Sequence, residues 1–329
     1  MDRRRRITLA LGVASLASAL PSFAQAPGTR PARIGILGAT SAASYASRWE
    51  AMRTGLRELG YVEGRNLVIE SRWADGQLDR LPALAAELVG LKVDVIVTHG
   101  IPGTRAAKQA TSTIPIVMAI VTDPAAAGLV ASLARPGGNV TGSSFFAPEL
   151  SAKRLELLKE VKPGLAKVAV LVNPDNPAFA AAMLEAMEAT AKPLNLRLHA
   201  FEARGPGEFE GAFAAMAKER VDAVAVLEDA NLNAHPAAIA SLAARHRLPS
   251  AGNKEFADAG GLIGYGVNLP ALFRRAAYLV DRILKGAKAG DLPIERATTF
   301  ELVVNLRTAA AIGVAIPKAM QLRASGSIH

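Results

Sequence analysis

The stretch VDVIVTHGIPGT (residues 93–104) decides the fold class, because in it an apolar strand leads through a polar loop into a helix. Residues 93–98 are apolar apart from Asp94 and Thr98 and predict a buried strand, and the pattern predicts a short helix over residues 104–110. A second apolar run spans residues 115–121. Strands that are apolar on both faces are typical of a parallel sheet covered by helices. The stretch therefore predicts an α/β fold.

The same alternation of strands and helices continues in both directions from this stretch. It breaks once, at the turn-rich segment RPGGN (residues 135–139), and then restarts. A chain of 329 residues exceeds the size at which one core stops growing. We therefore expect two doubly wound parallel-sheet lobes that face a cleft. Ligands of such sheets bind beyond the carboxyl ends of the strands.

The N-terminus has the three parts of a secretory signal. Four arginines (residues 3–6) precede an uncharged apolar run (residues 7–20), and a small-residue stretch ends near residue 26. The apolar run is shorter than the roughly 20 residues that a membrane-spanning helix needs. We predict a signal peptide over residues 1–26, exported by either the Sec or the twin-arginine route, and a mature chain in the periplasm.

The composition excludes several classes of function. The formal net charge is +9, but the predicted signal peptide contains four arginines and one aspartate, so the mature chain carries +6. Its basic residues are scattered, without the basic stripe of a nucleic-acid-binding protein. The sequence contains no cysteine, which rules out disulfides and a cysteine-linked lipid anchor. We expect no nucleic-acid partner and no metal site.

Polar and small residues follow most of the predicted strands, where a ligand would bind. Free N–H groups at helix starts favour a carboxylate, and carboxylates at other strand ends can hold an ammonium group. Such a set suits a zwitterion such as an amino acid, although each residue alone is equally typical of a helix cap. The candidates in these loops are Thr40, Ser41, Thr98, His99, Gly100, Thr104, Asp123, Asn173, Asn176, Asp229 and Asn231. Tyr265 lies between two glycines and either faces the cleft or packs in the core.

Known catalytic and cofactor motifs are missing from the sequence. There is no dinucleotide fingerprint, phosphate-binding loop, zinc-protease motif or nucleophile elbow. We therefore expect no cofactor and a protein that is not an enzyme. The alternative is a secreted hydrolase or isomerase that uses His99 with Asp123. A sugar-repressor-like regulator would need an N-terminal helix-turn-helix, and the chain has a signal-like segment there instead.

Six longer stretches resemble the tryptophan/tyrosine-type substrate-binding proteins of ABC transporters, and the similarity runs over nearly the whole mature chain. They are GLRELGYVEG (55–64), DRLP (79–82), KVDVIV (92–97), TIPIV (113–117), LARPGGNVTG (133–142) and FELVVN (300–305).

The resemblance implies a type I periplasmic-binding fold with three crossovers between the lobes. Lobe 1 would then contain residues 31–143 and 267–298, and lobe 2 residues 144–266 and 299–322, followed by a tail over residues 323–329. The implied function is capture of a small solute, without chemistry, and its delivery to an ABC permease at the inner membrane. We expect a monomer.

The resemblance also assigns residues to the cleft. It places Thr98, Gly100, Asp123, Asn173, Asn176, Asp229 and Tyr265 on the family's cleft loops. Two positions depart from the family pattern. Asn253 belongs to a segment, SAGN (250–253), where members often have an Ile-Tyr pair, and His99 replaces a residue that is usually small. Characterised relatives bind aromatic amino acids, but these departures leave the ligand of this chain open.

Overall fold

The computed structural model describes residues 30–329, and the predicted signal peptide lies outside this range. Strands and helices alternate along most of it. The strands are β1 Ala32–Gly38, β2 Leu67–Trp73, β3 Val95–Thr98, β4 Ile116–Thr122, β5 Val140–Phe145, β6 Lys167–Val172, β7 Arg197–Glu202, β8 Ala223–Val226, β9 Ser250–Gly252, β10 Ile263–Gly266, β11 Glu295–Arg296, β12 Glu301–Asn305 and β13 Gly326–Ile328.

The helices cover the faces of two sheets that these strands form. They are α1 Ala46–Glu58, α2 Leu81–Gly90, α3 Gly100–Ala110, α4 Ala147–Val161, α5 Pro177–Ala191, α6 Pro206–Lys218, α7 Pro236–Arg245, α8 Lys254–Asp258, α9 Leu269–Leu284, α10 Leu306–Ile312 and α11 Lys318–Arg323. None of the helices within residues 30–329 has the length and hydropathy needed to cross a bilayer.

Lobe 1 is built on a parallel sheet with the strand order β11-β5-β4-β3-β1-β2. Its central strand β3 is buried along its whole length. Helices α1 and α9 cover one face of the sheet, and α2 and α3 cover the other. Because both faces are covered, the strands need the continuous apolar runs seen in the sequence.

Lobe 2 is built on a second sheet with the order β13-β12-β10-β9-β8-β6-β7. Its strands pair in parallel except β10 and β12, which are antiparallel. Phenylalanines from α6 and α8 pack on one face of the sheet. The expectation of two α/β lobes is confirmed, although the sequence did not predict the antiparallel pair.

The chain crosses between the sheets at three places. The connections run from β5 to α4, from β10 to α9 and from β11 to β12. Strand β5 of the first sheet extends to Phe145, two residues beyond residue 143, where we expected this part of lobe 1 to end.

Two local expectations need correction. Residues Gly326–Ile328 form strand β13 on β12, where we expected a tail, because their backbone completes the edge of the second sheet. Helix α3 begins at Gly100 and not at residue 104, because Pro102 is tolerated in the first turn of a helix.

Candidate functional site

The strand ends of the two lobes meet at a cleft. Loops after β3 and β4 face loops after β6 and β8 and enclose a pocket of about 650 Å³, including solvent at its mouth. We call it the inner pocket. Six of the residues that the sequence predicted line it, namely His99, Gly100, Asn173, Asn176, Asp229 and Asn231. They come from both lobes, so a ligand held there contacts both.

Aromatic and aliphatic side chains form one wall of the inner pocket. Tyr45, Phe145, Phe179 and Leu269 line it. Tyr45 stands just before α1, as its N-cap. Its ring stacks on the His99 ring with centroids 4.3 Å apart. Such a wall favours a ligand with a flat or bulky apolar part.

His99 is buried in an aromatic cluster. Its ring also lies against Trp49 and Phe273, with centroids 6.3 and 6.2 Å away. Burial and, secondarily, the Arg48 charge lower the pKa of His99 to about 3. The imidazole is therefore neutral at physiological pH, and its Nε2 atom has no hydrogen-bond partner among the described residues.

This environment does not support the alternative of a hydrolase that uses His99 with Asp123. The Asp123 carboxylate accepts a hydrogen bond from the Ala126 amide at 3.1 Å. No hydrogen bond joins Asp123 to His99 within residues 30–329. A base needs an orienting partner and a pKa near the working pH, and His99 has neither.

Asp229 provides a buried carboxylate at the lobe 2 side of the pocket. Its Oδ1 atom accepts hydrogen bonds from Asn173 Nδ2 at 3.1 Å and from the Asn231 amide at 2.9 Å. Burial raises the pKa of Asp229, and these hydrogen bonds oppose the rise. Asn173 in turn accepts a bond from the Asp175 amide at 3.0 Å. Two short turns after β6 and β8 thus hold the carboxylate in place.

The first turn of α3 lies at the lobe 1 side of the pocket. Gly100 and Ile101 line the pocket, and His99, the N-cap residue, makes no side-chain capping bond. Gly100 has a φ of +69°, which glycine adopts without strain. The unpaired N–H groups and the dipole of an 11-residue helix favour an anion at this end.

Two predicted site residues have structural roles next to the pocket. The Thr98 hydroxyl donates to the Leu37 carbonyl at 2.9 Å and so joins β3 to β1. The Thr104 hydroxyl donates to the Gly100 carbonyl at 2.8 Å, within α3. Both residues are buried and neither lines the inner pocket.

Three further predicted residues lie outside the pocket lining. Asp123 is exposed in the turn after β4. Asn253 Oδ1 caps α8, and its buried Nδ2 has no partner among the described residues. The Tyr265 ring packs 6.2 Å from that of Phe300. The Asp123 side chain thus caps a turn, and the Asn253 side chain caps helix α8. The contact of Tyr265 agrees with the packing alternative.

The remaining candidates, Thr40 and Ser41, line a second cavity that adjoins the inner pocket at Leu78 and Asn231. It measures about 1,320 Å³, including open solvent, and also contains Asp75, Asp175 and Arg204. We call it the outer chamber. Asn231 lines both the inner pocket and the outer chamber.

Sequence analysis missed a buried polar group that includes two residues of the inner pocket lining, Glu228 and Asn233. The Glu228 carboxylate binds Arg154 and accepts a hydrogen bond from Asn233 Nδ2 at 2.9 Å. The Arg48 guanidinium lies 4.1 Å above the Tyr45 ring, and its Nη2 donates to the Asn233 carbonyl at 3.3 Å. Arg48 lies on α1, whose apolar spacing is typical of a packed helix.

Hydrogen bonds join the two lobes at this cleft. Arg48 of lobe 1 reaches Asn233 of lobe 2, and Asn231 Nδ2 of lobe 2 donates to the Gly76 carbonyl of lobe 1 at 3.2 Å. The lobes are therefore closed against each other at these points. Residues 30–329 contain no cluster of three or more His, Asp or Glu side chains suited to a metal ion.

Comparison with known proteins identifies relatives of this chain. Residues 33–328 match the family described as ABC transporter substrate binding protein. The tyrosine-binding protein of Clostridioides difficile is 29% identical over 259 residues, which cover 78% of this chain and 74% of that protein.

Two solved structures are similar to this chain, over 91% of its length and over the whole of theirs. A conserved domain protein from Vibrio cholerae is 29% identical, with a TM-score of 0.83. An ABC domain from Streptococcus pneumoniae in complex with L-Trp is 26% identical, with a TM-score of 0.82.

Proposed function

Because the chain belongs to the family of ABC transporter substrate-binding proteins, we propose that it binds an amino acid with an aromatic side chain and delivers it to an ABC permease. The receptor function is common to the family. The cargo, the permease and the residues that bind the cargo are our proposal.

One observation supports this choice of cargo: the inner pocket has groups suited to all three parts of an aromatic amino acid. Asp229 offers a carboxylate for the ammonium group, and the first turn of α3 offers N–H groups for the carboxylate. Between them, Tyr45 and Phe179 offer an apolar wall for the side chain. The two relatives described above, a tyrosine-binding protein and a protein in complex with L-Trp, support the same class of cargo.

Closure of the lobes would complete this site. Tyr45 and α3 belong to lobe 1, whereas Asp229 and Asn173 belong to lobe 2. A bound amino acid would therefore contact both lobes and shift the population toward the closed form. The family works outside the cytoplasm, and the signal-like N-terminus supports the periplasm as its compartment. We propose that the chain acts there as a monomer.

Calorimetric titration of the chain without residues 1–26 tests the cargo. We expect L-tryptophan, L-tyrosine or L-phenylalanine to bind at one site per chain, and L-phenylalaninol, which lacks the carboxylate, to bind much more weakly. L-lysine and L-glutamate are the controls for charge alone. If none of the aromatic amino acids binds, or if the alcohol binds equally well, the proposed cargo is wrong.

A further inference from the structure

The outer chamber adjoins the inner pocket along the cleft. Leu78 and Asn231 line both cavities and separate them. Among the described residues, one hydrogen bond crosses this boundary. Asn231 Nδ2 donates it to the Gly76 carbonyl at 3.2 Å. A ligand longer than an amino acid could thus pass from one cavity to the other by replacing a single hydrogen bond with its own.

Two buried polar atoms of the outer chamber have no hydrogen-bond partner among the described residues. They are the Thr40 hydroxyl and Asn231 Oδ1, on residues that are 3% and 5% exposed. Leaving such atoms unpaired is unfavourable, so a polar group that enters the chamber gains by pairing with them. Asn231 Oδ1 can only accept, whereas the Thr40 hydroxyl can accept or donate, so a ligand group that donates can pair with both.

The charge of the outer chamber also favours a donor with positive charge. Three carboxylates line it, from Asp75, Asp79 and Asp175. Asp75 pairs with Arg80 at 3.2 Å, and Asp175 pairs at 3.1 Å with the lining Arg204, which also binds Glu208 outside the chamber. Asp79 is the lining carboxylate that has no ion pair among the described residues. An ammonium group is the simplest ligand group that carries a positive charge and several donors.

The direction of the ligand follows from the position of Asp229. The Asn231 amide donates to Asp229 Oδ1, so Asp229 lies on the side of the inner pocket next to the outer chamber. The amino end of an amino acid bound to Asp229 would thus face the chamber. An extension of the ligand into the chamber would start from its amino group.

We propose that the outer chamber is a second subsite that holds the N-terminal residue of a dipeptide whose C-terminal aromatic residue lies in the inner pocket. The proposal rests on the proposed function, since it uses the same pocket. The peptide N–H would bind Asp229, and the peptide group would replace the Asn231–Gly76 bond. The terminal ammonium would lie among Thr40, Asn231 and the carboxylates of the chamber.

Titrations with matched ligands test the subsite. We expect Gly-Phe to bind at least fivefold more tightly than L-phenylalanine. N-acetyl-phenylalanine, which has the extension without the ammonium, should gain nothing over phenylalanine. If phenylalanine binds and Gly-Phe binds no more tightly, the chamber is only a solvent-filled mouth and the subsite is wrong while the cargo proposal stands.

A single variant separates the chamber from the inner pocket. Thr40→Val should remove most of the Gly-Phe advantage and leave phenylalanine affinity unchanged. Thr190→Val, at the far end of α5, is the matched control and should change neither affinity. A Gly-Phe advantage that persists in Thr40→Val overturns the assignment. Binding of Gly-Phe without binding of phenylalanine would support the subsite and correct the cargo, and binding of neither would overturn both proposals.

Discussion

At the scale of single residues, the Asp229 carboxylate should control affinity for an amino acid. Asp229→Asn keeps an oxygen that can accept from Asn173 and Asn231 but removes the charge opposite the ammonium. We expect affinity to fall by about 1.5–3 kcal/mol, the usual strength of a hydrogen bond to a charged group. Calorimetric titration with the best amino acid measures the loss.

Asp123→Asn is the control for this substitution. The Asp123 side chain caps an exposed turn, and Asn preserves that bond. Affinity should therefore not change. Equal affinities of wild type and Asp229→Asn would remove Asp229 from the site, and a loss in Asp123→Asn would restore the sequence-based expectation that this residue binds the ligand.

His99 should make stability depend on pH. Its pKa is about 3 in the folded protein and near 6.5 in the unfolded chain. Between these values the unfolded chain binds more protons, so this group's contribution is complete above pH 6.5 and is lost as the pH falls toward 3. At pH 5 the loss should be about 2 kcal/mol relative to pH 7.5.

The variant His99→Phe isolates this term. Burial raises the pKa values of Asp229 and Glu255, so their contributions to stability change with pH in the direction opposite to that of His99. The quantity to measure is therefore the difference between wild type and His99→Phe in the free energy of urea unfolding, at pH 7.5 and at pH 5. The difference should shift by about 2 kcal/mol in favour of the variant at pH 5. A difference that does not vary with pH would show that His99 does not titrate in this way.

The sequence predicted part of the site at this scale and missed another part for a definite reason. Asn173 and Asp229 were predicted because polar residues directly follow apolar strands. Tyr45 and Arg48 were missed because α1 has the 3.6-residue period of a packed helix. That period does not show that the chain turns just before α1, which directs the Tyr45 ring into the pocket.

At the scale of elements, the contact between α1 and α9 depends on Gly55. A Cβ at this position would lie 2.9 Å from both Ala277 Cβ and the Arg274 carbonyl oxygen. The carbonyl belongs to the backbone and cannot rotate away, so Gly55→Ala should separate the helices. We expect a loss of about 1–3 kcal/mol in unfolding free energy, as for other overpacked sites.

Gly211→Ala is the matched control in α6. A Cβ there meets no atom within 4 Å. Alanine favours a helix interior over glycine, so this variant should gain about 0.5–1 kcal/mol. Urea unfolding of both variants measures the two effects. The close-packing argument fails if Gly55→Ala is as stable as the wild type.

Element boundaries show what the sequence pattern cannot decide. The bounds of β2 and α5 can be recognised in the sequence because each element has clear periodicity and flanking signals. Strand β11, only two residues long, gave no such signal and exists because β5 offers it an open edge. Strand β13 depends in the same way on β12. Edges of this kind are created by the tertiary fold and leave no local pattern.

At the scale of the whole molecule, Arg48 connects closure of the lobes to the binding site. It comes from lobe 1, is 4% exposed and covers the Tyr45 ring that forms the pocket wall. In lobe 2 it donates a hydrogen bond to the Asn233 carbonyl and interacts electrostatically with Glu255. The buried carboxylate oxygens of Glu255 have no hydrogen-bond partner among the described residues. Opening the lobes would break the Asn233 bond and return Arg48 to water.

Arg48→Met should therefore favour the open form while keeping the apolar stem against Tyr45. The lost bond joins a charged donor to a carbonyl, so we expect affinity for the cargo to fall by about 1.5–3 kcal/mol. Small-angle scattering should show a larger radius of gyration for the variant without ligand, with convergence toward the wild type at saturation, because ligand binding shifts the same equilibrium. Arg53→Met, at a partly exposed position on the same helix, is the control and should match the wild type. If Arg48→Met has wild-type affinity and dimensions, other contacts, such as Asn231 with Gly76, must hold the lobes closed.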